Sequence, residues 1–155
     1  MLRHATAVRD PRFADFDRPL EPSGERDTLR LGMRLRDAQM GFDKIICSPA
    51  VRTSRTASLL LQSMGLQQPV IEFERALYSS NLDRLLRIIA RVDDSVDRLL
   101  IVGHNPELSE LAISLSAQAE ELSPCTLVNL CWESAGWLGL ELTRPAAVSI
   151  LRPPF

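Results

Sequence analysis

The sequence predicts an α/β fold, a three-layer α/β/α sandwich with a mostly parallel central sheet and a hairpin near its C-terminal end. Short apolar runs typical of buried strands alternate with segments whose apolar residues recur at helical spacing, which is the order of βαβ units. Two strand-like runs then follow one another around a Ser-Ala-Gly turn. The length of 155 residues suits one domain, residues 1–155, that buries about two thirds of its unfolded surface.

The N-terminal part predicts a short strand, a long loop and a helix. Met1-Leu2 resembles the end of a strand, and the segment Thr6–Glu21 lacks periodicity, so we expect a loop of the length that is often functional. A helix should begin near Pro22, with Ser23 as its N-cap, and end at Gly41. Its apolar face would comprise Leu29, Met33, Leu35 and Met40.

A strand, turn and helix unit follows. Lys44–Cys47 predicts a short buried strand, and Pro49 suits the first turn of a helix that runs to about Met64 and is closed by Gly65. Val70–Phe73 predicts the next strand.

The second half continues the alternation. Asn81 can cap an amphipathic helix whose apolar positions are Leu82, Leu85, Leu86, Ile89 and Val92. The remaining predicted elements are a central strand Arg98–Val102, a helix from Pro106 to about Ala117, and hairpin strands Thr126–Trp132 and Trp137–Thr143 before a tail that includes Ser149–Phe155.

Composition restricts the functional class. The net charge of −2 argues against a nucleic-acid partner held by a general basic field. No apolar run approaches the length of a membrane span and no signal peptide is evident, so we expect a cytoplasmic protein without a membrane partner. Cys47, Cys125 and Cys131 show no zinc spacing and fall in apolar runs, which predicts reduced thiols that act as small core residues.

The two histidines of the chain are both predicted at the carboxyl edge of the sheet. His4 follows the first strand and His104 follows the central strand, while Arg3, Arg18 and Arg52 are expected at the same edge. Ligands bind at this edge in open α/β sheets. Guanidinium forks match two phosphate oxygens, so this residue set indicates a site for a tetrahedral phosphoryl group.

A neutral histidine in such a site can act as the nucleophile. It would form a phosphohistidine that water then hydrolyses, with the arginines stabilising the charge on the equatorial oxygens. Neighbouring guanidiniums disfavour the imidazolium and favour the nucleophilic form. Metal-ligand and P-loop spacings are absent from the sequence, so we expect neither a metal nor another cofactor.

Four segments resemble motifs of the histidine phosphatase superfamily, whose fold is shared with cofactor-dependent phosphoglycerate mutases. Arg3-His4-Ala5 is similar to the RHG signature, and Arg18-Pro19-Leu20 resembles the R-P-L element of small SixA-type phosphohistidine phosphatases. Residues 48–57 are similar to the S-P-x-x-R-x-x-x-T-A block, and Val102–Pro106 matches the second histidine element. The segments occur in family order and cover most of the chain.

The resemblance implies specific roles for these residues. His4 would be the phosphorylated nucleophile. The phosphoryl oxygens would be held by Arg3, Arg52 and His104, with Arg18 as a further contact. Ser48 and Asn105 match positions that shape the pocket.

The chain also departs from the family pattern. Ala5 replaces the glycine of the signature, and only two residues precede Arg3, so either neighbouring elements support this strand or the true start lies upstream. Mutase-like relatives use an acidic residue in the middle loop, where this chain offers Glu72 and Glu74 without a clear match. A protonated imidazole leaves phosphorus more readily than an alkoxide does, so a weakly defined acid favours a phosphohistidine substrate.

Other polar residues have simpler interpretations. Asp15 and its neighbours in the long loop could pair with Arg18, although solvated loop charges are commoner. Tyr78 is more simply a packing residue.

The sequence thus predicts a metal-independent phosphatase that hydrolyses phosphohistidine on a partner protein. The alternatives are a phosphomonoesterase for a small phosphate ester and a catalytically weak module that only binds phosphoproteins. The short connections leave no lid over the site, and an open pocket suits a protein substrate. We expect a monomer.

Overall fold

The computed structural model describes residues 1–66, 71–133 and 136–155, and within them a six-stranded sheet lies between two layers of helices. The strands are β1 (Leu2–Arg3), β2 (Lys44–Cys47), β3 (Ile71–Phe73), β4 (Leu99–Gly103), β5 (Leu127–Cys131) and β6 (Ala147–Leu151). Their order is β3-β2-β4-β1-β5-β6, in which the first four are parallel and both β1–β5 and β5–β6 pair antiparallel. This confirms the predicted mostly parallel α/β fold.

The helices are α1 (Pro22–Asp37), α2 (Val51–Met64), α3 (Leu82–Ala90) and α4 (Glu107–Leu115). Alternate residues of the central strands face opposite helical layers, as the period-2 geometry of a strand requires. Ile45 and Cys47 of β2 belong to the core cluster shared with α1 and α2, whereas Ile46 belongs to the cluster shared with α3 and α4. The central strands β2 and β4 are therefore buried on both faces, which explains why they are largely apolar runs.

Neighbouring strands support the two-residue β1. Leu2 lies opposite Val102 of β4 on one side and Leu127 of β5 on the other. The backbone N–H of Arg3 donates to the carbonyl of Thr126 over 3.1 Å. Pairing on both edges thus compensates for the small number of residues in this strand.

The boundaries of α1 differ from the prediction. The helix starts at Pro22, and Glu21 occupies the N-cap position without a side-chain cap, so the assignment of Ser23 was wrong. The helix ends at Asp37, because Gln39 adopts a left-handed backbone conformation (φ 54°). The prediction had placed this helix-ending conformation at Gly41.

The apolar face of α1 was predicted correctly at Leu35, and Leu29 and Met40 pack against the core, but Met33 was misjudged. Met33 is 41% exposed, while Leu31 and Leu35 are fully buried. The small residues Thr28 and Gly32 are buried too, and at Gly32 an added Cβ would lie 2.7 Å from the carbonyl oxygen of Leu60 in α2. Close packing of α1 on α2 therefore selects small residues, which a purely apolar pattern does not detect.

The following elements agree closely with the predictions. β2 has the predicted bounds, α2 begins at Val51, two residues after Pro49, and it ends at Gly65 with the expected left-handed conformation (φ 70°). Val70 lies outside the described residues. Asn81 caps α3, since its side chain accepts a hydrogen bond from the N–H of Arg84 over 2.9 Å.

The predicted second hairpin strand, Trp137–Thr143, was wrong. Gly139 adopts a left-handed conformation (φ 76°), which interrupts an extended strand, and Leu140–Leu142 form a 3-10 turn. The partner of β5 is instead Ala147–Leu151, whose C-terminal residues were predicted as part of a tail. Ser134 and Ala135, of the predicted turn, lie outside the described residues.

The three thiols do not share one environment. Cys47 and Cys125 are buried as expected, but Cys131 is exposed because it is the last residue of β5. Within the described ranges, no helix has both the length and the apolarity needed to cross a lipid bilayer.

Candidate active site

A cavity of about 310 Å³ opens at the carboxyl ends of β1 and β4. It contains both histidines and all three of the predicted phosphate-binding arginines. Its lining residues are Arg3, His4, Thr6, Ala7, Arg9, Asp15, Arg18, Arg52, Tyr78, His104, Asn105, Glu107 and Pro124. Of the predicted supporting residues, Asn105 lines this cavity and Ser48 lies behind it, in contact with His104.

The backbone around His4 is fixed by several elements. Its N–H donates to the Gly103 carbonyl over 3.1 Å, and its own carbonyl accepts from the Cys125 N–H over 3.1 Å. The next N–H, that of Ala5, donates to the hydroxyl of Thr56 in α2 over 3.1 Å. These bonds place the imidazole at the carboxyl ends of the paired strands β1 and β4. They also give a physical reason for the threonine in the S-P-x-x-R-x-x-x-T-A block.

The hydrogen bonds of His4 define its tautomer. Nδ1 lies 2.8 Å from the Ala5 carbonyl oxygen, which can only accept, so Nδ1 carries the hydrogen. Nε2 lies 3.2 Å from Nε of Arg52, which can only donate, so Nε2 presents its lone pair. The atom that a nucleophilic histidine uses is therefore deprotonated and lies among the cavity's guanidiniums.

Arg52 is a buried cation at the centre of this arrangement. Its side chain extends from the first turn of α2, and the residue is only 5% exposed. Nη1 donates to the backbone carbonyl of Asp15, and Nη2 donates to the Asp15 carboxylate over 3.1 Å. Arg55, one turn later, is directed elsewhere and pairs with Glu25 over 2.7 Å.

His104 faces His4 edge to face. The ring centroids are 5.2 Å apart and the ring planes are inclined at 62°. Nε2 of His104 shares a hydrogen bond of 2.8 Å with the buried hydroxyl of Ser48, which follows β2. The two imidazoles thus meet in one crevice although they are a hundred residues apart in sequence.

The carbonyl of Leu122 holds two further residues of the site. It accepts one hydrogen bond from Nη1 of Arg3 and another from Nδ2 of Asn105 over 2.8 Å. The N–H of Leu122 in turn donates to the hydroxyl of Ser109 in α4 over 2.9 Å. No sequence pattern indicated this backbone contribution, because it depends on a loop that reaches the site only in the folded chain.

Asp15 and Tyr78 also line the cavity, although no sequence motif pointed to them. Asp15 Oδ1 lies 3.1 Å from Nε of Arg18, and its Oδ2 accepts from the Tyr78 hydroxyl over 2.8 Å as well as from Arg52. The Tyr78 ring contacts the ring of His104, with centroids 5.6 Å apart. The only sequence indication was that Asp15 lies three residues before Arg18 in the long loop.

The site keeps both imidazoles neutral. Burial lowers the pKa of His4 to about 4, and the charge of Arg52 adds to this shift. Burial, followed by the charge of Arg52, lowers the pKa of His104 to about 3. The sequence-based expectation had the direction right but attributed it to the guanidiniums, whereas burial is the larger cause.

The two candidate acids from the middle loop do not line the cavity. Glu72 pairs with Lys44 over 2.6 Å at the edge of the sheet. Glu74 caps a 3-10 turn, because its carboxylate accepts from the Ala76 N–H over 2.8 Å. Of the described residues, the carboxylates that line the cavity are those of Asp15 and Glu107.

The geometry suits transfer of a phosphoryl group to nitrogen. It combines a lone pair on His4 Nε2, three arginines for the equatorial oxygens and a second imidazole. In the described ranges, no group of three or more histidine, cysteine or acidic residues is arranged to hold a metal ion.

Comparisons with known proteins identify the class. A family model for the histidine phosphatase superfamily (branch 1) matches residues 1–75. The uncharacterized protein Rv1276c of Mycobacterium tuberculosis is 38% identical over 116 residues, which cover 75% of this chain and 70% of that protein. The chain therefore belongs to the histidine phosphatase superfamily.

Solved structures refine this assignment. The chain superposes on a candidate phosphohistidine phosphatase SixA from Nakamurella multipartitia with a TM-score of 0.80 and 26% identity, covering 99% of this chain and 94% of that one. The fold also matches the protein histidine phosphatase SixA complexed with tungstate, with a TM-score of 0.75 at 19% identity and coverage of 87% and 88%. The chain is thus a phosphatase of the SixA type.

Proposed function

We propose that this phosphatase hydrolyses phosphohistidine on a protein through a phosphorylated His4. The observation that best supports the proposal is the tautomer of His4, whose Nε2 lone pair lies beside Arg52 within a buried pair of imidazoles. In the reaction, His4 Nε2 forms a bond to phosphorus while the bond from phosphorus to the substrate nitrogen breaks. The substrate imidazole, protonated from solvent on its other ring nitrogen, leaves as a neutral ring. Water then attacks phosphorus, the bond to His4 Nε2 breaks, and inorganic phosphate and a proton are released to solvent.

The remaining roles follow from charge and position. Arg3, Arg18 and Arg52 would contact the phosphoryl oxygens, because an arginine fork matches an oxyanion and keeps its charge at every physiological pH. His104 would donate a further hydrogen bond from the opposite wall. A bound phosphoryl dianion opposes the shift that burial causes and raises the pKa of His104. Ser48 and Asn105 would position His104 and the adjoining loop.

The preference for phosphohistidine rests on the weakness of the available acids. The Tyr78 hydroxyl and the Arg52 guanidinium hold the pKa of Asp15 below its usual range, so in these contacts Asp15 is ionised and is a poor proton donor for an alkoxide. An imidazole leaving group needs less assistance, since it leaves as a neutral ring once protonated.

One observation favours a second candidate function, hydrolysis of a small phosphate ester. Glu107, the first residue of α4, lines the cavity three residues after His104 and could protonate an ester oxygen. Under this alternative, Glu107→Gln would abolish ester turnover. Under the phosphohistidine proposal, the same substitution leaves hydrolysis of phosphohistidine within a few-fold of wild type.

Turnover and trapping distinguish these functions from simple phosphoprotein binding. We expect a phosphorylated histidine domain to be hydrolysed faster than a panel of sugar and nucleotide phosphates. Brief exposure to labelled substrate should give an acid-labile label on the enzyme that His4→Ala abolishes. Preference for the ester panel would establish the second candidate. Binding without either label or phosphate release would indicate a module that has lost turnover.

A further inference from the structure

The Asp15 carboxylate lies where the site would be expected to hold an anion. One of its oxygens pairs with Arg18 over 3.1 Å, and the other accepts from Arg52 and from the Tyr78 hydroxyl. The Asp15 backbone carbonyl accepts a second hydrogen bond from Arg52. A single loop residue therefore engages two of the three guanidiniums that are proposed to bind the phosphoryl group.

These contacts engage all three nitrogens of Arg52, through three of its five N–H groups. Its Nε is bonded to His4, and both Nη atoms are bonded to Asp15. A buried guanidinium is costly without a partner, so a negative group beside Arg52 offsets the cost of burying its charge. Phosphoryl oxygens need the same guanidinium edges, and a second anion beside the carboxylate would be repelled.

We propose that Asp15 is an internal anion that holds Arg18 and Arg52 until a phosphoryl group displaces it. This inference rests on the proposed function, because it assumes that a phosphoryl group binds in this cavity. Asp15 thereby sets the affinity for the phosphoryl group and for the phosphate product, and its return to the arginines promotes release of phosphate. Its carboxylate is 59% exposed on a 3-10 turn of the long loop, so it can move towards solvent.

A role in positioning makes the opposite prediction. If Asp15 only orients Arg18 and Arg52 for the phosphoryl group, its removal weakens anion binding. If Asp15 competes with the phosphoryl group, its removal strengthens binding. The sign of the change in affinity therefore separates the two roles.

The test measures the binding of inorganic phosphate and orthovanadate by calorimetry in wild type, Asp15→Asn and Asp17→Asn at neutral pH. Asp17 lies on the same turn, is exposed, and forms no side-chain hydrogen bond or ion pair with an arginine among the described residues, so it controls for the loss of one negative charge. We expect Asp15→Asn to lower the Kd of both anions about three- to tenfold, as for a partly exposed ion pair. Asp17→Asn should change it less than twofold.

Weaker or unchanged binding in Asp15→Asn would overturn the inference while leaving the proposed function intact. An equal gain in both variants would attribute the effect to net charge and would also overturn it. If neither anion binds any of the three proteins, the phosphoryl pocket itself fails, and the proposed function fails with it. Circular dichroism and urea unfolding of each variant verify that the fold is retained.

Discussion

Replacement of Arg52 by alanine is the perturbation whose effect follows most directly from the structure. Arg52 is 5% exposed, and its three nitrogens reach His4 on one side and Asp15 on the other. Removal of one preorganised charged donor from an active site costs about 2.7–4 kcal/mol of transition-state stabilisation. Arg52→Ala should therefore lower kcat by about 10²–10³.

Arg52→Lys tests whether charge alone is sufficient. A lysine ammonium has one nitrogen and cannot bridge His4 and Asp15 as the planar guanidinium does. We expect this variant to recover at most about a tenth of the lost rate, in keeping with the bidentate geometry.

Single-turnover hydrolysis of a phosphorylated histidine domain provides the assay. Arg55→Ala is the matched control, because Arg55 lies one turn further along α2 and pairs with Glu25 outside the cavity. Its rate should stay within about twofold of wild type, since exposed ion pairs contribute little. A rate for Arg52→Ala within threefold of the Arg55→Ala rate would refute the role assigned to Arg52.

Three further predictions concern pH, packing and metal independence. Folded His4 and His104 protonate only at about pH 4 and 3, whereas their unfolded counterparts protonate near 6.5, so the unfolded chain binds more protons in between. The free energy of unfolding should therefore fall as pH drops from about 6.5 towards 4. Urea unfolding should show a smaller fall in a variant in which asparagine replaces both histidines. Equal falls in the variant and in wild type would contradict the pKa shifts. Gly32→Ala places a Cβ 1.8 Å from Oγ of Ser63 and should lower the free energy of unfolding by about 1–3 kcal/mol. Gly41 has open space around it, so Gly41→Ala should leave the free energy of unfolding unchanged. Equal effects of the two substitutions would disprove the close packing at Gly32. EDTA should leave the phosphatase rate unchanged and orthovanadate, a phosphoryl mimic, should inhibit; loss of activity in EDTA would show dependence on a metal.

The sequence predicted most of the parallel part of the fold because its central strands, β2 and β4, are buried on both faces. The strand Lys44–Cys47 carries the apolar run Ile45–Cys47 and precedes a helix with clear end signals, and its bounds agree with the structure. Two helix ends were predicted from single residues. Gly65 ends α2 because glycine readily adopts the left-handed conformation, and Asn81 begins α3 because its side chain caps the helix.

The C-terminal strand was harder to predict because pairing is not local. The run Trp137–Thr143 has strand-like residues, but the left-handed Gly139 interrupts it and β5 pairs instead with Ala147–Leu151. Alternation alone does not tell which of two runs pairs with a given strand.

In the candidate site too, the sequence motifs identified some residues, whereas others could be recognised only from contacts in the folded chain. Motif resemblance led to Arg3, His4, Arg52 and His104, and the structure brings these four residues into contact with one cavity. Asp15 was seen only as a possible partner of Arg18, since its contact with Arg52 bridges 37 residues of sequence. The expectation for Glu72 and Glu74 came from their position in the middle loop, but their side chains bind other partners.

A crystal structure with bound orthovanadate would test the central claim most directly. We predict vanadium within bonding distance of His4 Nε2, with its oxygens in contact with Arg3, Arg52 and His104. Vanadate bound elsewhere, or bound in this cavity without approach to His4, would contradict the assignment of His4 as the nucleophile.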